Sequence, residues 1–301
     1  MLTLGYILET LTDTRATGNE PAVSAFVVDS REAGPGSVFV AFAGERADGH
    51  AFVPDAFARG AIAALVERAP AGNWPTIDAR TATDKADFSG AATDHWPLTT
   101  TNLPVVILVD DTLKALQALA GAWRARSAVR VIGITGSVGK TSTKELTATV
   151  LSQRYRTLKS VGNQNNEIGV PLTLLNLRPE HERAVIEMGM YAPGEIDLLC
   201  DLARPVIGIV TMIGPVHMER LGSLEAIVAA KRELVAALPA DGAAVLNMDD
   251  PRVMSMVGHT RARVFTYGLD PAANLWADAI DSMGLSGVRF TICLLYTSRC
   301  V

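Results

Sequence analysis

The stretch VIGITGSVGKTSTKE, Val131 to Glu145, sets two glycines, a lysine and a threonine at a spacing suited to phosphate. Gly136 and Gly139 let the backbone turn tightly and aim its N–H groups inward. Lys140 can reach the β- and γ-phosphates of a nucleotide, and the Thr141 hydroxyl can ligate Mg²⁺. Ser137, Val138 and Ser142 complete the loop and the first turn beyond it. The N-terminus of the helix that follows adds its partial positive charge. The usual phosphate-loop pattern puts a glycine at position 134, where this chain has Ile134, so the motif reads T-G-S-x-G-K-T-S. A guanine reader of the form Asn-Lys-x-Asp is absent, and the nearest text, NMDD, lacks the lysine. Neither a basic track nor a second nucleotide-sensing motif marks a motor.

Other polar residues stand where strands end. Glu187 closes RAVIEMG, and a carboxylate at a strand's C-terminal end faces the crevice where open α/β sheets bind ligands. Its hard oxygens suit Mg²⁺, and the alternative is a solvated strand-end charge. His217 follows VTMIGPV and reads by itself as a packed or capping residue, with Glu219 close enough to take a ligand's part instead. Lys231, on SLEAIVAAKRELV, reads by itself as a snorkelling surface lysine. Asn163, Asn165 and Asn166 in GNQNNEIG are either turn residues that satisfy local backbone or ligand contacts. Asn247 stands at a similar turn with Asp249 and Asp250, and Ser30 and Arg31 follow the strand SAFVVD. His50, His95, His181 and His259 receive no role.

The elements that must carry these residues alternate. From position 129 the strands VRVIGIT, RAVIEMG, PVIGIVT, GAAVLN and RVFTYG are interleaved with the helices KTSTKELTATVLSQR, GEIDLLCDLA and SLEAIVAAKRELVAAL. That alternation predicts an open, doubly wound, mostly parallel sheet covered on both faces, an α/β fold. Residues 1–103 read as a smaller α/β domain. There, SAFVVDSREAGPGSVFVAFAG gives two short strands around a Pro-Gly turn, and HAFVPDAFARGAIAALVER gives a helix and a strand. From Ala69 to Asn102 the pattern dissolves into a surface insertion. The strand and long helix of PVVILVDDTLKALQALAGAWRAR lead into a second domain, residues 104–291. Residues 292–301, within TICLLYTSRCV, contain no turn or cap. They read as a non-native tail on a truncated frame, against the plainer reading of a final strand.

Composition narrows the class. The chain has 301 residues, 49% hydrophobic and 20% charged, as expected of a globular protein with two domains. A formal net charge of −5 argues against a broad nucleic-acid surface. No stretch approaches ~20 uninterrupted apolar residues, so no membrane span is visible. MLTLGYILETLTD lacks a basic start and a cleavage site, so no signal peptide is read. Cys200, Cys293 and Cys300 suggest no disulfide framework, and a cytoplasmic monomer is expected.

Taken in order, the motifs resemble those of the Mur ligases, ATP-dependent amide-forming enzymes of peptidoglycan synthesis. GITGSVGKTSTKE looks like their ATP loop. SVGNQNNEIGVPLTLL looks like the signature of the member that adds D-alanyl-D-alanine to UDP-MurNAc-tripeptide. AVIEMGMYAPGEI, HMERLGSLEAIVAAKRELV and LPADGAAVLNMDD follow in that member's order. DSREAGPGSVFVAFAGERADGHAFVPDAFARGA resembles its uridine-binding domain, and the resemblance covers most of residues 20–268. It implies that Lys140 neutralises phosphate charge, that Thr141 and Glu187 hold one Mg²⁺, and that His217 helps to hold a second. It implies a carbamylated Lys231 supporting that second ion or the γ-phosphate. It also implies Asn247 on adenine, Asn163 and Asn166 on the muropeptide, Ser30 on uracil or ribose, and Arg31 on diphosphate. The family's third domain, which grips the incoming amine, has no counterpart here, so the chain is expected to bind ATP without completing the amide. A diaminopimelate- or lysine-adding relative would carry Thr-Thr-Pro where this chain has GNQNN, and a folylpolyglutamate synthase would lack the DSRE domain. A non-catalytic nucleotide-binding fragment is the alternative of another class.

Overall fold

The computed structural model describes residues 2–12, 19–44, 47–80, 103–215 and 222–294. The chain divides into two compact units, Met1–Ser127 with Leu174–Pro179, and Ala128–Thr173 with Glu180–Val301.

The first unit holds a five-stranded sheet in the order β1-β2-β3-β5-β4, every neighbouring pair parallel. Its strands are β1 (Phe26–Val27), β2 (Val38–Val40), β3 (Ala63–Val66), β4 (Thr76–Asp78) and β5 (Val105–Leu108). Strands β2, β3 and β5 are buried along their whole length, which is why they read as unbroken apolar runs rather than alternating ones. Helix α2 (Val53–Ala58) sends Val53, Ala56 and Phe57 into a core with Val27, Phe39, Val66 and Val106. Helix α1 (Leu4–Leu11), capped by Thr3, packs on α3 (Thr112–Ala125), where Tyr6 meets Trp123 edge-on at 5.1 Å.

Two expectations change here. The strand and helix of residues 104–126 belong to the first unit, because Val105–Leu108 take their hydrogen-bonding partners from Ala63–Val66 of β3. The division therefore falls after Ser127 rather than at 103. Within the expected insertion, Thr76–Asp78 form the edge strand β4 beside β5, while residues 81–102 lie outside the described residues.

The second unit is built on an eight-stranded sheet in the order β13-β12-β11-β10-β9-β6-β8-β7. Its strands are β6 (Arg130–Thr135), β7 (Thr157–Lys159), β8 (Arg183–Glu187), β9 (Pro205–Val210), β10 (Ala243–Asn247), β11 (Arg263–Gly268), β12 (Leu275–Ser282) and β13 (Val288–Leu294). All pairs are parallel except β12–β13. Helices α4 (Lys140–Ser152), α5 (Gly169–Leu175), α6 (Glu195–Ala203), α7 (Leu224–Ala236) and α8 (Pro251–Met254) supply the connections. This is the predicted α/β architecture. Strand β6 lies between β9 and β8, so the order of the chain reverses across it, and ligands bind at such switch points.

Residues 292–294, expected to fall outside the fold, continue β13, with Cys293 opposite Trp276. Alternation across the TICL stretch gives this segment a strand's two faces, with Cys293 buried, while Cys200 is a buried free thiol. Residues 295–301 lie outside the described residues. The β12–β13 hairpin leaves Ile280, Leu285, Val288, Phe290 and Ile292 exposed. Among the described residues no helix is long and apolar enough to cross a membrane.

Candidate nucleotide and metal site

The phosphate loop leaves β6 at Thr135 and enters α4 at Lys140. Gly136 has φ +146° and Gly139 φ +86°, conformations that a side chain resists. Gly136 is also short of room, since a Cβ there would lie 1.9 Å from Thr211 Oγ1. The loop is sewn to the chain beyond β9. Thr211 Oγ1 donates to Val138 O at 2.6 Å, Ser137 N donates to Met212 O at 2.7 Å, and Ser137 Oγ donates to Gly214 O at 3.0 Å. Val138 and Ser142 are exposed on the loop and the first turn of α4.

Two lysines converge on this turn. Lys140 Nζ donates to Gly136 O at 2.9 Å, and Lys231 Nζ donates to the same carbonyl at 3.0 Å. Lys231 is 2% exposed, so the surface reading of this residue does not hold. Helix α7 turns it inward with Ile227, Ala230 and Leu234. Burial, with the Lys140 charge second, pushes its amine down to about 8. Burial also lowers the Lys140 pKa, opposed by the Glu187 charge.

Glu187 is 2% exposed at the end of β8, so it is no solvated strand end. Its Oε2 accepts from Thr141 Oγ1 at 3.0 Å, and its Oε1 accepts from Asn165 Nδ2 at 2.9 Å. Its backbone N–H donates to Ser160 Oγ at 3.1 Å. One buried carboxylate beside one hydroxyl at a helix N-terminus is a hard-oxygen donor set. It fits Mg²⁺, which takes one or two carboxylates and completes its shell with phosphates and water. Among the described residues no group of three or more His, Cys, Asp or Glu gathers into a protein-only cage. His217 and Glu219 lie outside the described residues.

A small cleft opens here, lined by Lys140, Lys231, Asn165, Asn166, Tyr191 and Glu195 among others. The asparagine run divides its labour. Asn165 turns to Glu187, and Asn166 Oδ1 accepts from Gly169 N at 2.9 Å, capping α5. Asn163 is exposed and is not among the lining residues. Asn247, at the end of β10, donates through Nδ2 to Thr211 O at 2.9 Å and accepts from Asp249 N at 3.1 Å. Thr211 thus links the phosphate loop to Asn247, and its only sequence signal was its place just past a strand. Ser160 and Thr211 escaped the sequence reading, and Asn165 was not singled out from its neighbours, because hydroxyls and amides near turns are common there.

In the first unit Ser30 is buried and donates to Asp55 Oδ2 at 2.8 Å. Arg31 is exposed and grips Asp29, its Nε donating to Oδ1 at 2.9 Å. That side-chain hydrogen bond holds the Asp29 carboxyl down at about 2.

Comparisons with known proteins agree with this geometry. A family model described as the Mur ligase family catalytic domain matches residues 23–124, and one described as the Mur ligase middle domain matches residues 134–297. The UDP-N-acetylmuramoyl-tripeptide--D-alanyl-D-alanine ligase of Synechocystis sp. is 41% identical over 249 residues, covering 82% of this chain and 49% of that protein. A crystal structure of MurF from Acinetobacter baumannii superposes with a TM-score of 0.79 at 27% identity, covering 100% of this chain and 60% of that one. MurF ligase from Thermotoga maritima, solved in complex with ADP, gives a TM-score of 0.69 at 28% identity over 89% of this chain and 55% of its own. The chain spans about half the length of the curated relatives it matches. With one match over the first unit's sheet and another over more than half of all residues, the chain belongs to the Mur ligase family.

Proposed function

We propose that the chain carries the nucleotide- and muropeptide-binding parts of an ATP-dependent ligase that adds D-alanyl-D-alanine to UDP-MurNAc-tripeptide in peptidoglycan synthesis. The observation that carries this reading is the meeting of Lys140 and Lys231 on the Gly136 carbonyl, beside a buried Glu187 already paired with Thr141. The name of the relatives and the ADP in the Thermotoga maritima structure supply the substrate class.

The loop amides and Lys140 hold the β- and γ-phosphates. Thr141 and Glu187 would hold a Mg²⁺, which would supply positive charge against the phosphate oxygens. Catalysis of phosphoryl transfer is mostly positioning and charge neutralisation. The terminal carboxylate of the tripeptide attacks the γ-phosphorus, the bond to ADP breaks, and an acyl phosphate forms. The amine of D-alanyl-D-alanine then attacks the acyl carbon, releasing phosphate and a proton. An amine lowered to about 8, as at Lys231, keeps a neutral fraction near neutral pH. The neutral form is the one that adds carbon dioxide, giving a carbamate beside the phosphates. His217 would support a second ion with that group. Asn247 reads adenine, Asn163 and Asn166 contact the muropeptide, and Ser30 and Arg31 hold the uridine diphosphate end.

The test is trapping. The chain is incubated with Mg-ATP, UDP-MurNAc-tripeptide and hydroxylamine, and the products are read by mass spectrometry. ADP release with a muropeptide hydroxamate, both dependent on the tripeptide, is the expected result. ADP release that ignores the tripeptide, or no nucleotide binding at all, would overturn the reading.

A further inference from the structure

Phosphate binding leaves one buried charged residue of α4 unexplained. Lys144 is completely buried, three residues after Thr141 and four after Lys140, so all three share a helix face. Its Nζ donates to Gly162 O at 2.9 Å and lies 3.6 Å from Glu187 Oε2 and 3.4 Å from Glu145 Oε1. Packing alone does not call for a lysine. A methionine fills a similar volume without the cost of taking a charge out of water.

What the ammonium adds is a connection. Gly162 has φ +53° and immediately precedes Asn163–Asn166, the loop that reaches the cleft. That loop is tied to Glu187 a second time by Asn165, and Asn165 O accepts from Gly189 N at 2.8 Å. The Glu187 carboxylate therefore has Thr141 and Lys144 on one oxygen and Asn165 on the other. Lys144 touches the carboxylate and the start of the loop at once.

We propose that Lys144 is a positioning residue that makes the order of the Gly162–Asn166 loop depend on the divalent cation held by Glu187 and Thr141. This rests on the metal site and substrate loop assigned above. A cation at Glu187 neutralises the carboxylate, so the ammonium's attraction shifts to its remaining acceptors, of which the Gly162 carbonyl is the closer. Metal at one end of the site thereby firms the backbone at the other.

Hydrogen exchange on the whole chain tests this, comparing ADP with Mg²⁺ and ADP with EDTA. In the wild type, amides of residues 162–169 exchange several-fold more slowly with the metal. In Lys144→Met that metal-dependent slowing is lost, while ADP affinity in EDTA, read by calorimetry, is unchanged. Lys144→Arg, which keeps the charge, restores part of the slowing. Should Lys144→Met not fold, Lys144→Gln takes its place. The proposal is overturned if the uncharged variant slows as the wild type does, or if its ADP affinity falls equally with and without Mg²⁺. It is overturned too if wild-type ADP binding depends on Mg²⁺ but the loop amides do not respond. A wild type whose ADP binding ignores Mg²⁺ sinks the metal site itself, and the inference with it.

Discussion

Arg31 and Lys140 invite comparison, since both were read as cations for phosphate. In the second unit Lys140 is half-buried, and its hydrogen bonds go to the neutral carbonyls of Gly136 and Ser137. In the first unit Arg31 is 81% exposed and already gripped by Asp29. A cation set among backbone acceptors keeps its charge for a ligand and pays desolvation in advance. An exposed cation with a carboxylate partner must surrender that partner first. The two regions therefore differ in preorganisation, although both cations are proposed to meet phosphate.

The largest effect expected is at Gly136. A methyl group there meets Thr211 Oγ1 and forces an L-residue into φ +146°. Strain and overpacking of this sort cost about 1–3 kcal/mol each. Gly136→Ala should show a markedly lower denaturant midpoint and no measurable ADP binding, and near-normal values for both would mean the loop relaxes freely. Next comes Lys140→Ala, which removes a charge-assisted contact worth roughly 1.5–3 kcal/mol. Mg-ATP binding by calorimetry should weaken on the order of tenfold to a hundredfold, and an unchanged affinity would break the contrast with Arg31.

Lys231 supplies a test in pH. Its folded value of about 8 lies below the ordinary 10.5, so the unfolded chain binds the extra proton between them. Stability must therefore rise with pH across that window and lose this contribution as pH falls toward 8. The contribution is on the order of 1–3 kcal/mol. Lys231→Met should flatten the slope relative to wild type in urea titrations from pH 8 to 10.5, and parallel slopes would refute the buried ammonium.

The smallest effects belong to the first unit. Arg31→Ala should leave the melting temperature unchanged and weaken UDP-MurNAc-tripeptide binding only several-fold. Asp29→Asn, which frees the guanidinium, should tighten that binding. Looser binding in Asp29→Asn would mean that the carboxylate itself contacts the ligand.

The same contrast explains what could be read from sequence. Strand β6, the two loop glycines and α4 were legible because a positive φ leaves a mark that only glycine supplies readily. The alternation of β8, α6, β9, α7 and β10 was legible because both faces of a parallel sheet must be apolar. What escaped depends on partners remote in the chain. Val105–Leu108 looks the same whether it joins β3 or the next sheet, and the ladder to Ala63–Val66 decides. Thr76–Asp78 is too short to announce itself amid polar text. Lys144 and Lys231 sit in helices where a lysine usually faces water, and only the packed elements around them reverse that. Within GNQNN, adjacent asparagines differ in direction rather than type, so Asn165 could not be told from Asn163.

The β12–β13 hairpin bears on handling in solution. Strand β13 ends the sheet, and Val288, Phe290 and Ile292 are exposed along it, with Ile280 exposed on its partner. Apolar side chains along an edge strand favour association with another chain. The expected outcome is association through this apolar face as concentration rises, with a solubility limit set there. A lysine at Phe290 is the substitution that raises that limit, and sedimentation at increasing concentration reads it.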